Sequence, residues 1–131
     1  MSDGIAREGW DEDLKFGEAR QSAFVNALTD CRVECKSDQK VRVTGNVFIE
    51  THQKPKDGDW RPSGINTSEA SWYAIEYADD AWLVIRRRLL MQLALQAPKR
   101  LGGDENRYQG RLVPVVWLVN PWRSISDPNQ R

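Results

Sequence analysis

The chain has 131 residues, of which 40% are hydrophobic, and its 19 basic residues balance its 19 acidic ones. This composition favours one ordinary globular domain, and no apolar run approaches the ~20 residues that a membrane helix needs. With two cysteines, a disulfide-stapled secreted scaffold and a cysteine-based structural zinc site are both excluded. Residues 1–13 are polar, so we expect no signal peptide and place the protein in the reducing cytoplasm.

The first half of the chain carries the patterns of a helix and a β-hairpin. Apolar residues recur at helical spacing over 16–28, which predicts a helix there. Residues 31–38 alternate apolar and polar side chains, and residues 47–52 follow a turn signal at Gly45 and Asn46. Both stretches predict half-buried strands, which we expect to pair as an antiparallel hairpin with a long loop.

The second half predicts further elements in this order: a loop rich in Pro and Gly over 53–64, strands over 72–77 and 81–85, a helix over 89–97, a basic loop over 99–111 and a strand over 113–119. This order indicates an α/β or α+β domain over 14–120, with a mixed sheet of four to five strands flanked by helices. We expect a flexible segment over 1–13 before it and a polar tail over 121–131 after it.

The charged residues of the predicted hairpin are the main functional signal. Side chains two apart on a strand share a face at a spacing of ~6.6 Å, so Glu34, Lys36 and Asp38 project together. Closure of the hairpin near Arg42 places Glu34 opposite Glu50. Clustered carboxylates repel one another unless a cation such as Mg²⁺ neutralises them, and acids with a lysine suit metal-assisted phosphodiester hydrolysis. A solvated charged strand face explains the same spacing without a function, and the spacing alone favours that explanation.

Three short strings add a resemblance to a known family. They are Glu34-Cys35-Lys36 followed by Asp38, the segment TGNVFIE over 44–50, and the segment SGI over 63–65 with Ala70, Trp72 and Tyr73 beyond it. Together, across residues 12–96, they resemble a phage-type branch of the PD-(D/E)xK nuclease superfamily. The resemblance implies a restriction-endonuclease-like fold, in which one helix carries a glutamate and a hairpin carries the acids and the lysine.

The resemblance also implies an activity and a set of site residues. It implies a metal-dependent DNA endonuclease of phage or prophage origin, selective for branched DNA such as junctions, acting as a homodimer in the bacterial host cytoplasm. The implied catalytic residues are Lys36, Glu50, Asp38 and Glu34. The implied ligands of Mg²⁺ or Mn²⁺ are Asp38, Glu50 and Glu34, with Glu18 on the first helix as a further one.

Two arrangements of this site stay open. In the first, Asp30 is the acid that precedes the E-x-K element, but it lies only four residues ahead of Glu34, too few for an intervening strand. In the arrangement that we favour, Glu50 begins the second motif, His52 stands where a lysine is usual, and Lys36 supplies the charge from the neighbouring strand. The missing lysine after Glu50 also favours an alternative, a catalytically inactive nucleic-acid-binding module on a nuclease fold. A phage accessory protein that binds other proteins is the third possibility.

Basic and hydroxyl side chains outside the hairpin are candidates for contacts with phosphate, since phosphate contacts dominate the affinity for nucleic acids. The basic residues before and after the predicted helix over 89–97, Arg86 to Arg88 and Lys99 with Arg100, have an equally good explanation without a function. They lie at solvated helix ends, where basic residues near the C-terminus complement the helix dipole. The candidates for nucleic-acid binding are Arg86, Arg87, Arg88, Lys99, Arg100, Lys54, Lys56, Ser63 and Thr67.

Overall fold

The structure is a computed structural model that describes residues 3–29 and 32–121. Within these residues it is an α+β fold, as the sequence predicts. It has four helices, and its seven strands form two sheets rather than the one mixed sheet of four to five strands that was expected. The chain divides into two compact units, residues 1–31 and residues 32–131. In the described part of the chain, no helix is both long enough and apolar enough to cross a membrane.

The first unit contains a single long helix, α1 (Asp3–Leu28). It begins at Asp3 rather than near residue 16, where the apolar pattern starts. No apolar stripe marks the earlier turns, but they contain residues of good helix propensity such as Ala6, Arg7 and Glu8. Propensity therefore accounts for the extension, and most of the segment 1–13 is helical.

One sheet of the second unit has three strands in the order β1 (Val33–Ser37), β4 (Trp72–Ala78) and β5 (Ala81–Arg86). Strand β1 runs parallel to β4, and β4 pairs with β5 in an antiparallel hairpin, so the strands predicted at 72–77 and 81–85 are both present. Because β1 has a partner on one side only, it forms an edge of this sheet. Its edge position leaves room for a ligand beside it.

The other sheet has four antiparallel strands in the order β3-β2-β7-β6. Their bounds are Asn46–Gln53 for β2, Arg61–Pro62 for β3, Lys99–Gly102 for β6 and Tyr108–Pro114 for β7. The prediction of a loop over 99–111 is therefore wrong, because β7 pairs with β2 on one side and with β6 on the other, which makes two strands of most of this stretch. The strand predicted over 113–119 is also wrong beyond Pro114, where the short helix α4 (Val115–Val119) follows.

The predicted hairpin between 31–38 and 47–52 is wrong as well. The intervening residues form helix α2 (Gln39–Thr44), in which the Asp38 side chain accepts a hydrogen bond from the Lys40 amide at 2.9 Å. Gly45, with φ 72°, ends the helix, and its N–H donates to the carbonyl of Val41 at 2.8 Å. A helix capped at both ends separates the two strands, which consequently enter different sheets.

The second unit is organised around one core shared by both sheets and helix α3 (Arg87–Gln96). Leu90 and Leu93 on α3 are fully buried, as are Ile49 on β2 and Val113 on β7. The helix predicted over 89–97 is thus confirmed, with bounds shifted by up to two residues. The three-stranded sheet adds these buried residues to the core: Tyr73, Ile75 and Ile85.

Candidate active-site cleft

An open cleft of about 640 Å³ lies beside the edge strand β1. Its walls come from β1, from the 3₁₀ turn at Gly64–Asn66 with the segment that follows it, and from β4. The lining residues that matter for its chemistry are Glu34, Lys36, Gly64, Thr67, Ser68 and Tyr73. All of them belong to the second unit.

The β1–β4 register brings Glu34 and Lys36 to this cleft. Glu34 is paired with Tyr73, and Lys36 is paired with Ile75. Partners in a parallel ladder lie on the same face of the sheet, and Tyr73 and Ile75 are core residues. Glu34 and Lys36 therefore lie on the core-facing side of the sheet, but at the edge where the cleft opens.

Glu50 approaches the same cleft from the second sheet. The prediction that Glu50 lies opposite Glu34 is wrong, because the cross-strand partner of Glu50 is Gly110. The link is Gly64, which lines the cleft with φ +56° and packs directly on Glu50. A Cβ atom at residue 64 would lie 2.2 Å from the carbonyl oxygen of Glu50 and 2.8 Å from its Cβ. Only glycine permits this approach, which holds the Glu50 backbone against the wall of the cleft.

The pKa of the Tyr73 hydroxyl depends on the charges near it. Burial raises the pKa of Tyr73 above its ordinary value of 10.0, and the negative charges of Glu34 and Glu50 raise it further. A hydrogen bond with Ser68 and the positive charge of Arg87 lower the pKa of Tyr73 and partly oppose these effects. Acids from two different sheets thus act on one hydroxyl. That hydroxyl stays protonated at neutral pH and is available as a hydrogen-bond donor.

Sequence reasoning did not select Tyr73 as a site residue, and it considered the Ser68 hydroxyl only as a contact to phosphate or a cap of the next turn. Tyr73 lies in an apolar strand, where an aromatic residue predicts core packing, and Ser68 lies in a polar loop. No charge or spacing pattern marks either residue, because their proximity depends on the β1–β4 register.

The lining of the cleft also contains an ion pair between Arg32 and Glu69. Glu34 and Lys36 in the lining, and Glu50 behind Gly64, share a different property. Within the described residues, none of them makes a hydrogen bond or an ion pair. Their charges are therefore not explained by contacts that stabilise the fold. The cleft thus has one acid and one amine in its lining and a second acid behind Gly64, and none of the three side chains is engaged by a contact within the described residues.

The other predicted metal ligands have different places. Asp38 caps α2 and borders a separate cavity of about 530 Å³, which Lys36 also lines. Its carboxylate is thus engaged with the backbone of α2. Glu18 is an exposed residue of α1 in the first unit, and its role as a ligand stays a prediction. Asp30, the acid of the other arrangement, lies outside the described residues.

A metal ion in the cleft needs side chains that can act as its ligands. Among residues 3–29 and 32–121, no three or more His, Cys, Asp or Glu side chains form a group that could hold a metal. Mg²⁺, however, is commonly bound by one or two carboxylates together with waters and substrate phosphates. Glu34 lines the cleft and Glu50 packs on its wall at Gly64, so these carboxylates are of the type and number that Mg²⁺ or Mn²⁺ uses.

The three arginines at the start of α3, Arg86, Arg87 and Arg88, differ in the contacts that their guanidinium groups make. The guanidinium of Arg86 lies over the ring of Trp72, 4.6 Å from its centroid. Arg87 donates from Nε to the carbonyl of Ala70 at 2.9 Å, whereas Arg88 is exposed. Together with Ser71 these arginines line a hollow of about 230 Å³. Their positive charge lies near the cleft, since the charge of Arg87 acts on the Tyr73 hydroxyl.

The remaining candidates for phosphate contacts are mostly exposed. These are Lys54 and Lys56 in the loop after β2, Lys99 and Arg100 on β6, and Thr67 at the cleft. Ser63 differs, because it is only 6% exposed and its hydroxyl has no hydrogen-bond partner. A buried hydroxyl is out of reach of a nucleic acid at the surface, so the structure does not favour a phosphate contact by Ser63.

Comparison of the chain with protein-family models, with curated proteins and with solved structures finds no match.

Proposed function

We propose that this protein is a metal-dependent DNA endonuclease of the PD-(D/E)xK type. The observation that carries the proposal is that Glu34 and Lys36 line one open cleft whose wall at Gly64 packs on Glu50, and that none of these three side chains has a partner in the described residues. Unpaired charges beside a concave surface are typical of functional sites rather than of structural ion pairs. The E-x-K spacing of the first two residues agrees with the resemblance drawn from the sequence.

Each residue has a chemical role in this proposal. Glu34 and Glu50 would hold Mg²⁺ or Mn²⁺, which supplies stabilisation of the negative charge that develops on the phosphate oxygens. The Nζ atom of Lys36 donates hydrogen bonds to the attacking water and to the scissile phosphate, and so positions them. Ser68, which is half-buried in the lining, offers a further hydrogen bond to a phosphate oxygen, and Tyr73 positions Ser68 through their hydrogen bond.

The open shape of the cleft bears on the substrate. A wide cleft at a sheet edge, with Arg86, Arg87 and Arg88 near its end, suits a nucleic-acid backbone better than a small enclosed metabolite. Branched DNA, a homodimer and the cytoplasm of a bacterial host as the place of action form part of the same proposal.

Cleavage of defined DNA by the purified protein tests the proposal. We expect cuts in branched, duplex or single-stranded DNA with Mg²⁺ or Mn²⁺, and none with a chelator. Lys36→Ala and Glu50→Ala abolish cleavage. Mn²⁺ titration by calorimetry detects one site that disappears in the Glu34→Gln/Glu50→Gln double variant. If none of the three DNA substrates is cleaved with either metal, the proposal of nuclease activity is wrong.

A second function is favoured by one specific observation, the lack of a group of three acidic or histidine ligands in the described residues. An inactive nuclease fold that only binds nucleic acid needs no such group. Salt-dependent binding of DNA without cleavage, and without a Mn²⁺ site, identifies this function.

A further inference from the structure

A second, smaller pocket lies on the other side of the 3₁₀ turn Gly64–Asn66. It has a volume of about 150 Å³ and is enclosed by the end of β2, the C-terminal half of α3 and the strands β6 and β7. We name it the β6–α3 pocket. Its polar lining consists of Thr51, His52, Asn66, Lys99, Gln109 and Arg111.

The charges that line this pocket are of one sign. Lys99 and Arg111 are cations, and no carboxylate of the described residues contributes to the lining. Lys99 and Arg111 are direct cross-strand partners in the β6–β7 ladder. Like charges in directly opposed positions destabilise a sheet unless a counter-charge lies nearby. The lining is therefore complementary to an anion.

The guanidinium of Arg111 is held in place before any ligand arrives. Its Nη1 atom donates to the carbonyl of Ala97 at 2.8 Å and more weakly to that of Leu95 at 3.4 Å. These carbonyls lie at the C-terminal end of α3, where the helix dipole favours a cation. Within the described residues, Nε and Nη2 make no hydrogen bond, so they are free to donate to an anion.

The ring of His52 is fixed at the pocket by one neighbour. The Thr51 hydroxyl donates to the carbonyl of Gln109 at 3.2 Å and lies 2.9 Å from Nδ1 of His52. The other ring nitrogen, Nε2, has no hydrogen-bond partner in the described residues. The ring therefore reports on a ligand in the pocket, while Lys99 and Arg111 supply the charge.

The size of the pocket limits what it can hold. A volume of 150 Å³ equals about five waters at ~30 Å³ each. Pockets for whole small molecules are larger, on the order of 300–1,000 Å³. One phosphate group fits this volume, and the amide of Asn66, which already donates to the carbonyl of Thr51 at 2.9 Å, has a second N–H to offer.

We propose that the β6–α3 pocket binds a phosphate group. Glu50 and Gly64 belong to the cleft, and the residues directly after them, Thr51 and Ile65, line the pocket. The two sites are thus adjacent along two chain segments. Resting on the nuclease function proposed above, the bound group is a backbone phosphate that flanks the scissile one and fixes the register of the strand in the cleft.

The experiment uses His52 as the probe, because it is the only histidine in the chain. The proton resonance of its imidazole is followed by NMR in protein without a histidine tag, at fixed neutral pH and constant ionic strength. Inorganic phosphate is titrated first, and a short oligothymidylate is titrated separately in the presence of a chelator. Lys99→Gln removes one cation from the pocket, and Lys40→Gln makes the same change on exposed α2 as the control.

We expect a saturable shift of the His52 resonance with phosphate, and about tenfold weaker binding in Lys99→Gln but not in Lys40→Gln. The oligonucleotide should produce the same Lys99-dependent shift at a lower concentration of phosphate groups. If the shift does not saturate, or if Lys99→Gln binds phosphate as tightly as the parent protein, the proposal of a phosphate site in this pocket is wrong. Saturation by phosphate with no response to the oligonucleotide overturns the backbone assignment and identifies a site for free phosphate. None of these readouts requires DNA cleavage, so failure of the nuclease proposal is detected separately.

Discussion

Two groups of charged residues in the second unit differ in how their charges are satisfied. At the end of β1, which we name the α2 corner, Asp38 caps the helix while Arg42 lies 2.8 Å from Glu76 and 2.9 Å from Asp79. Ser37 donates a further hydrogen bond to Glu76 at 2.8 Å. At the cleft, Arg32 and Glu69 also form an ion pair, but the side chains of Glu34, Lys36 and Glu50 make no such contact within the described residues.

This difference teaches how to separate structural charges from functional ones. The sequence groups Glu34, Lys36 and Asp38 as three equivalent residues at a spacing of two. The structure gives Asp38 a local task, the cap of α2, and leaves Glu34 and Lys36 beside an open cleft. Charges with partners are explained by the fold, and charges without partners at a concave surface require a ligand to explain them. Four experiments test this distinction.

The largest effect is expected from matched glutamate variants of the two groups. Glu34→Gln should reduce DNA cleavage by at least ~100-fold, because it removes a carboxylate that acts only in the site. Glu76→Gln should leave cleavage within about threefold and reduce stability by about 1 kcal/mol, because the half-buried side chain loses its charge beside Arg42 but keeps an oxygen that accepts from Ser37. Rates of cleavage and urea unfolding check both variants. Equal losses of activity would show that the distinction between the two groups is wrong.

A smaller effect is expected from two glycines with positive φ. Gly64→Ala should lower the free energy of unfolding by about 3 kcal/mol or more, because the added methyl group meets the Glu50 backbone. Gly45→Ala is the control. It has a similar φ but nothing within 4 Å of the new Cβ, so a loss of about 1 kcal/mol is expected. Urea unfolding measures both. Equal losses would mean that Gly64 does not hold Glu50 at the cleft.

The helix cap gives a third and still smaller effect. Asp38→Ala should cost about 1 kcal/mol of stability through the lost hydrogen bond to the Lys40 amide, while Asp38→Ser keeps a side-chain acceptor and loses only a few tenths. DNA cleavage by both variants should equal that of the parent. Loss of cleavage in Asp38→Ser, with stability retained, would return Asp38 to the site as a metal ligand.

The smallest effect appears only at alkaline pH. The folded-state pKa of Tyr73 lies above 10.0, so the unfolded state loses this proton first as the pH rises. The associated stability is complete below pH 10 and is lost above it, with a slope of at most ~1.4 kcal/mol per pH unit. Tyr73→Phe should remove this component from urea unfolding measured against pH, and Tyr77→Phe, an exposed tyrosine, is the control.

A further variant connects this titration to the cleft. Glu34→Gln removes one of the negative charges that raise the pKa of Tyr73, so the alkaline loss of stability should then extend over a narrower pH range. An unchanged range would place the carboxylate of Glu34 too far from the hydroxyl to share a site with it.

The sequence was sufficient for much of the fold because local signals determine it. Strands β4 and β5 alternate regularly around the Asp79-Asp80 turn, and α3 has helical apolar spacing ended by Pro98. The errors concern pairing between distant segments. Strand β1 joins β4 across nearly forty residues, as in the Val33–Trp72 pair, and no local pattern encodes that parallel register.

For the candidate site, the E-x-K element and Glu50 were selected from the sequence, and the structure brings them to one cleft by a route that the sequence does not show. An antiparallel hairpin was the simplest way to bring them together. Instead, α2 separates the two strands, and the contact of Gly64 with Glu50 closes the gap. The signal for α2 was present in Asp38 and Gly45, a helix cap at each end, but the alternating pattern around them dominated the interpretation.

The contact at Gly64 has a consequence for how this protein tolerates substitution. Gly64 carries no charge and offers no side chain to a substrate. The spacing between the acids of the two sheets nevertheless depends on it, because it has no Cβ atom where every other residue has one. In a saturation library selected for DNA cleavage, residue 64 should therefore accept no other amino acid, whereas Thr67, exposed on the same wall, should accept many. The absence of a side chain at Gly64 therefore restricts substitution in this wall more than the polar side chain of Thr67 does.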